Sequence, residues 1–262
     1  MPIHEIAKIV DHKEVASEHY KMTVSSSYIS QNAMPGQFVL IRCGNELDPL
    51  LRRPLSINRV NKNEKTFDLL YKVKGKGTEI LSKLQIGELA DIIGPLGNSY
   101  TIDTSKQVAI MVGGGYGIVP LLLLADELKG KIKAIYSLIG TKNESCLFCE
   151  REFKDIGVQV SVTTEDGSYG RKGMVTDVLL ELLSSKLSPA HTQIFACGPH
   201  EMLKYIAEIS AQKGISCQIS MEEKMACGLG GCLGCAVKIK SGYKMVCKDG
   251  PIFDAKEIIW QT

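Results

Sequence analysis

The sequence predicts a mixed β and α/β protein in three pieces: an antiparallel β-barrel over residues 1–101, a parallel α/β domain over 102–214 and a small C-terminal module over 215–262. Three observations lead there. Short apolar runs separated by turn residues fill the first part of the chain, strand and helix patterns then alternate, and glycine and cysteine crowd residues 226–235. A length of 262 residues accommodates this at a soft allowance of about 150 residues per domain.

In the first piece, residues 37–42 follow the turn pair Pro35-Gly36, residues 66–73 run into a glycine-rich turn, and residues 89–93 end at Gly94-Pro95-Leu96-Gly97. Strands this short, with turns this frequent, close most simply into an antiparallel barrel, because closure leaves no open sheet edge. From Val108 the rhythm changes. Residues 108–112 read as a buried strand, 121–129 as a helix stopped by Gly130, and 132–139 as the next strand. A strand at 159–163, a helix at 176–183, a strand at 193–196 and a helix at 201–212 continue the alternation, the pattern of a parallel sheet with helical crossovers. Beyond 215 neither pattern holds. A lysine-bearing strand pair over 237–246 follows the cysteines, and so short a piece rarely supplies its own core without a bound group.

Charge and cysteine content narrow the function classes. The 31 Lys and Arg against 29 Asp and Glu leave a formal charge of +2, without the concentrated basic face of a nucleic-acid binder. Nine cysteines, an odd number, make a poor disulfide framework. The N-terminal Met1-Pro2-Ile3-His4-Glu5 lacks the basic and apolar segments of an export leader, so the expectation is a thiol-bearing protein of the reducing cytoplasm. Residues 107–125 carry no charge, yet Gly113, Gly114, Gly115, Gly117 and Pro120 punctuate them where a membrane-spanning helix should be continuous, so no membrane segment is expected. None of the five histidines stands next to a serine or cysteine nucleophile motif, which leaves hydrolase chemistry without support.

The most specific signal is Cys227, Cys232, Cys235 and Cys247, spaced C-x4-C-x2-C-x11-C. Four thiolates suit zinc or an iron–sulfur cluster. Structural zinc usually takes two C-x2-C knuckles, whereas C-x4-C-x2-C with a distant fourth cysteine is the plant-type [2Fe–2S] spacing. Gly228, Gly230, Gly231 and Gly234 between the ligands let the backbone curl in and present N–H groups to sulfur. The second signal is the run from Gly113 to Pro120, containing Gly114, Gly115 and Gly117, directly between an apolar strand and a helix. Such a turn offers free N–H groups and positive potential to a pyrophosphate. A merely close-packed strand–helix turn would use the same glycines.

The third signal gains meaning only in company. Arg53-Pro54-Leu55-Ser56, followed by Leu70-Tyr71-Lys72 and Gly75-Lys76-Gly77-Thr78, would alone read as a solvated strand face and a turn. Together with G-G-x-G-I-x-P over 114–120 and Cys197-Gly198-Pro199, the set resembles the ferredoxin-reductase superfamily. The resemblance implies that Arg53 meets the pyrophosphate of FAD and Ser56 approaches N5 of its ring. It further implies that Pro54, Leu55, Leu70, Tyr71 and Lys72 belong to the same flavin site, and that the Gly77-Thr78 turn begins a phosphate-holding helix. Leu55 is a departure, since many flavin reductases carry tyrosine there. Residues 221–235 resemble the cluster segment of the electron-transfer subunits of dihydroorotate dehydrogenase B, and this second resemblance extends over essentially the whole chain.

That family implies a flavin barrel, a nicotinamide domain and a [2Fe–2S] module in which electrons pass from the FMN of a separate catalytic subunit through the cluster and FAD to NAD, in a heterotetramer of two subunits of each kind. It implies Cys227, Cys232, Cys235 and Cys247 as cluster ligands, and Gly114, Gly115, Gly117, Cys197, Gly198 and Pro199 at the NAD site, with Cys197 near the nicotinamide. On packing grounds alone Cys197 is equally a small buried hydrophobe. Glu165-Asp166-Gly167-Ser168 either faces the cofactor ribose or forms a loop. Gly140 and Lys142 leave NAD against NADP open, and the family implies NAD. Cys43, Cys146, Cys149 and Cys217 are assigned to packing. The rivals are the electron-transfer subunit of a related sulfide dehydrogenase or ferredoxin:NADP oxidoreductase and, from another class, a zinc-bound interaction module without redox activity.

Overall fold

A computed structural model describes residues 1–44, 46–185 and 187–260. The chain divides into two compact units: one comprises Met1–Ser99, Glu222–Val237 and Tyr243–Pro251, the other Tyr100–Met221, Lys238–Gly242 and the residues from Ile252 on.

In the first unit, strands β1 (Ile3–Ala16), β2 (His19–Ser25), β3 (Phe38–Ile41), β4 (Arg53–Asn61), β5 (Thr66–Lys72) and β6 (Leu89–Leu96) close an antiparallel barrel in the order β1-β2-β5-β4-β3-β6. Every strand finds its ladder partners, as closure requires. Alternate positions such as Ile9, Met22, Ile57, Phe67, Leu69 and Ile92 are fully buried and fill the interior. Helix α1 (Ser27–Asn32) is started by Ser26, whose hydroxyl accepts the Ile29 N–H at 3.0 Å. Helix α2 (Lys76–Ser82) follows β5.

The second unit is a seven-stranded sheet. Strands β7 (Val108–Gly114), β8 (Ala134–Thr141), β9 (Gln159–Thr164), β10 (Arg171–Lys172), β11 (Thr192–Cys197) and β12 (Ser216–Ser220) run parallel in the order β10-β9-β8-β7-β11-β12. Helices α3 (Leu121–Leu128), α4 (Glu150–Asp155), α5 (Val175–Ser184) and α6 (His200–Lys213) connect them. Strands β13 (Ala236–Ile239) and β14 (Gly242–Met245) form a ribbon that leads into the short helix α7 (Val246–Asp249), and β15 (Ile252–Asp254) then adds antiparallel to β12. The chain builds outward from β7 in one direction, through β8 and β9, and returns to β7's other side for β11. Between β7 and β11 the strand order therefore reverses.

The C-terminal residues do not form one piece beginning at 215. Ser216–Ser220 and Ile252–Asp254 are sheet strands, whereas 222–237 and 243–251 fold with the barrel. Strand β12 escapes a sequence reading because Ile219 is its one large aliphatic residue, and backbone pairing with β11 on one side and β15 on the other carries it. The uncharged stretch 107–125 is shared between β7, a 3-10 turn at Gly115–Ile118 and α3; among the described residues no helix is long and apolar enough to cross a membrane.

Candidate cofactor-binding sites

Cys227, Cys232 and Cys235 lie on one loop of the first unit, and Cys247 joins them from α7 of the same unit. Gly230 N–H donates to Cys247 Sγ at 3.1 Å, Leu229 N–H to Cys227 Sγ at 3.4 Å, and Cys247 N–H to Cys235 Sγ at 3.5 Å. Left-handed backbone at Gly228 (φ 66°) and Gly230 (φ 80°) turns these amides inward. Gly228 also has no room for a side chain, since a Cβ there would collide with Leu40 of β3. Asn98 ties the far end of the segment to the barrel by donating its N–H to Gly250 O at 2.6 Å and its side-chain amide to Asp249 O at 2.9 Å. Sequence spacing gave no hint of this anchor, which bridges about 150 residues of chain.

Amide donors pull the Cys227 thiol down to about 6, with the Leu229 N–H the largest cause, while burial and the neighbouring Cys235 thiol push Cys247 up to about 12. A bound cationic core favours thiolate over thiol at its ligands. Among the described residues no three His, Cys, Asp or Glu side chains converge as a single metal ion requires. The C-x4-C-x2-C-x11-C spacing, with backbone amides donating to three of the four sulfurs, fits the cluster better than the paired C-x2-C knuckles of structural zinc. Cys235 and Cys247 are buried and Cys232 is exposed, so one edge of the site faces solvent. Leu229 and Leu233 are exposed on the same loop, Leu233 at φ 60°, and a cavity of about 500 Å³ opens beside Cys247 with Met1, Met34, Pro95 and Leu229 in its wall.

On the barrel, the structure brings Arg53 and Gly77 together. A Cβ at Gly77 would stand 2.7 Å from Arg53 Nε, so the guanidinium lies across the start of α2 over a space only glycine leaves open. Arg53 also donates to Leu51 O at 2.7 Å. A cation over a helix start suits a pyrophosphate. The Thr78 hydroxyl is engaged in its own turn, accepting from Lys74 N–H at 2.9 Å and donating to Gly75 O at 3.0 Å. Pro54 and Ser56 are half-buried on β4, on either side of the buried Leu55. On β5, Leu70 and Tyr71 are buried and Lys72 is half-exposed. The Tyr71 phenol is bonded at 2.9 Å to His12 Nε2 and stacks on Tyr20, and burial raises its pKa. Its ring is thus occupied within the unit, and only Lys72 of this trio offers a half-exposed side chain.

In the second unit, ligand-facing loops are expected outside the carboxyl ends of the strands where the order reverses. Those loops are Gly113–Pro120 after β7 and Cys197–Pro199 after β11, the two that the motifs single out. They meet backbone to backbone. A Cβ at Gly117 would overlap the Cys197 carbonyl and lie 2.6 Å from Gly198 Cα, and one at Gly114 would lie 2.6 Å from Pro199 Cδ. Gly114 and Gly117 are accordingly demanded by packing. Gly115 differs: its φ of +52° is left-handed and its Cβ position faces open space, so its backbone conformation, not packing, calls for glycine. Cys197 is buried, as are Cys43 and Cys217, and burial raises the thiol pKa of both Cys43 and Cys217, Cys217 to about 12. Gly140 is small because a Cβ would press on Val175 at 2.7 Å. Asp166 closes its own turn, accepting from Ser168 N–H at 2.9 Å and Ser168 Oγ at 2.7 Å, which favours the loop reading of 165–168.

This geometry defines a class: a flavin- and nicotinamide-binding oxidoreductase of ferredoxin-reductase type that carries an iron–sulfur segment. Residues 7–100 match the oxidoreductase FAD-binding domain, 111–208 the oxidoreductase NAD-binding domain, and 222–259 the iron–sulfur cluster binding domain of dihydroorotate dehydrogenase B. Proteins named dihydroorotate dehydrogenase B (NAD(+)), electron transfer subunit, are 42% identical over 97% of this chain and 98% of the relative in Caldanaerobacter subterraneus subsp. tengcongensis, and 38% identical over 96% of each in Geobacillus sp. (strain WCH70). The chain belongs to this family of electron transfer subunits. A solved chain of an NADH-dependent reduced ferredoxin-NADP oxidoreductase superposes with a TM-score of 0.85 at 32% identity, covering 98% of this chain and 90% of that one. A ferredoxin NADP+ reductase from Neisseria gonorrhoeae shares the fold, with a TM-score of 0.69 at 17% identity over 80% of this chain and 92% of its own.

Proposed function

We propose that this subunit passes electrons from the FMN of a dihydroorotate-oxidising catalytic partner to NAD+, in a heterotetramer of two subunits of each kind in the cytoplasm. The observation that carries the reading is the placement of Cys227, Cys232, Cys235 and Cys247 in the same unit as the barrel, with backbone amides donating to the sulfurs of Cys227, Cys235 and Cys247. A flavin exchanges electron pairs with nicotinamide and single electrons with a cluster, which is the chemistry these groups supply when bound.

The residues do the holding and orienting. Arg53 supplies fixed positive charge for the FAD pyrophosphate, Gly77 leaves the space beneath it, and Thr78 keeps the turn in shape. Pro54, Leu55 and Ser56 lie next to Arg53 on β4, with Ser56 toward the flavin ring, and the segment Leu70, Tyr71, Lys72 supplies backbone and the Lys72 side chain. Gly115 presents its amide to the dinucleotide, while Gly114, Gly117, Gly198 and Pro199 hold the two loops in contact beside Cys197. Exposed Leu229 and Leu233 and the cavity beside Cys247 make the cluster edge the docking face, consistent with a net charge too small to steer a partner at long range.

A purified chain carrying flavin absorption and a rhombic EPR signal on reduction is expected, and a colourless protein with stoichiometric zinc would refute the reading. Arg53→Ala is expected to weaken FAD retention about tenfold to a hundredfold, the value of a charge-assisted phosphate contact of roughly 1.5–3 kcal/mol. Equilibrium dialysis of flavin measures this; an unchanged dissociation constant would remove Arg53 from the pyrophosphate site. A second reading, the corresponding subunit of a ferredoxin:NADP oxidoreductase complex, is favoured by the 32% identity and 0.85 TM-score to such a chain. Identification of the co-purifying partner separates the two.

A further inference from the structure

The chain contains a single tryptophan, Trp260, which the three motifs leave unused. The structure lays its indole against His200, with ring centroids 4.9 Å apart and planes at 74°. His200 opens α6 immediately after Pro199, and Pro199 is the residue that a Cβ on Gly114 would strike. The indole thus stands one side chain away from the junction of the two loops at the sheet's reversal point. Backbone pairing brings it there: Ile258 bridges to Ile239, and Ile259 N–H donates to Lys238 O at 3.1 Å. Neither ring is sealed off, since Trp260 is half-buried and the His200 side chain is 47% exposed.

The ligand chemistry that suits an open indole beside a dinucleotide loop is a flat cation. Tryptophan is the best of the aromatic side chains for binding a cation over its ring face. Oxidised nicotinamide is aromatic and cationic, whereas the reduced ring is neutral. We propose that Trp260, braced edge to face by His200, is a binding residue for the nicotinamide ring and favours the oxidised dinucleotide over the reduced one. The proposal rests on the reading of Gly113–Pro120 and Cys197–Pro199 as the dinucleotide site.

The test uses the oxidised holoprotein and the emission of its one tryptophan, recorded against the constant background of the bound flavin while calorimetry follows binding independently. NAD+ is expected to quench the emission saturably, with the dissociation constant found by calorimetry, and ADP-ribose, which lacks nicotinamide, is expected to bind without quenching. Trp260→Leu should raise the NAD+ dissociation constant about two- to tenfold, with ADP-ribose and the neutral, unreactive tetrahydronicotinamide analogue unaffected, and Trp260→Phe should recover part of the loss. Flavin content and cluster absorption of the variants report that the fold is intact. NAD+ binding with unchanged emission, or equal quenching by ADP-ribose, would overturn the proposal while leaving the dinucleotide site in place. Failure of both ligands to bind would remove that site and the proposal with it.

Discussion

Cys232→Ser is expected to abolish the [2Fe–2S] signal while FAD remains bound. A serine hydroxyl is a poor substitute for a thiolate on iron, and loss of one of four ligands leaves an iron open to solvent on the edge that is already exposed. Cys232 is the informative position because it is exposed: Cys235 and Cys247 are 2% and 3% accessible, and replacing either also disturbs buried packing. Cys146→Ser is the control and is expected to leave iron content unchanged, since Cys146 belongs to the second unit and the four spaced cysteines to the first. Iron analysis and EPR of the two variants decide the matter. Loss of iron in the Cys146 variant, or its retention in the Cys232 variant, would break the ligand set.

Gly117→Ala is expected to lower NADH-dependent reduction of an artificial acceptor by on the order of a hundredfold while flavin and iron content hold, since displacing a positioning loop by about 1 Å is enough for such a loss. The added methyl would overlap the Cys197 carbonyl and crowd Gly198 Cα. Both obstacles are backbone, so no side-chain rotation relieves them and the loop between β11 and α6 must move. Gly115→Ala is the comparison. It meets open space and is opposed only by its φ of +52°, a cost of roughly 1–2 kcal/mol, so its effect should be smaller. Steady-state kinetics on the two variants measures the difference; equal behaviour would show that crowding at Gly117 does not position the nucleotide loop.

Those two glycines also illustrate what the sequence could convey. A glycine-rich turn between a strand and a helix was visible, because it depends on local pattern. Which glycine serves packing and which serves only the turn depends on the approach of Cys197–Pro199, some eighty residues further along, and no local pattern encodes it. The cysteine spacing was legible for the opposite reason: three of its four ligands lie on one short loop, so spacing and geometry nearly coincide. Tyr71 marks the limit at the flavin site. The motif counts it with Leu70 and Lys72, yet its phenol is spent on His12, from a different strand and 59 positions away. The division of the C-terminal residues between barrel and sheet was likewise hidden, because Ser216–Ser220 and Ile252–Asp254 become strands through pairing with distant neighbours rather than through their own periodicity.

The proposed division of labour has this chain handle nicotinamide and pass electrons while a partner oxidises the substrate. Mixing the purified chain with an FMN-bearing dihydroorotate dehydrogenase catalytic subunit and following orotate formation with NAD+ as sole acceptor tests it most directly. No orotate is expected from this chain alone, NAD+-dependent orotate formation is expected from the mixture, and Cys232→Ser should interrupt it. Orotate formation by the single purified chain, or undiminished turnover in the mixture carrying Cys232→Ser, would contradict that division of labour.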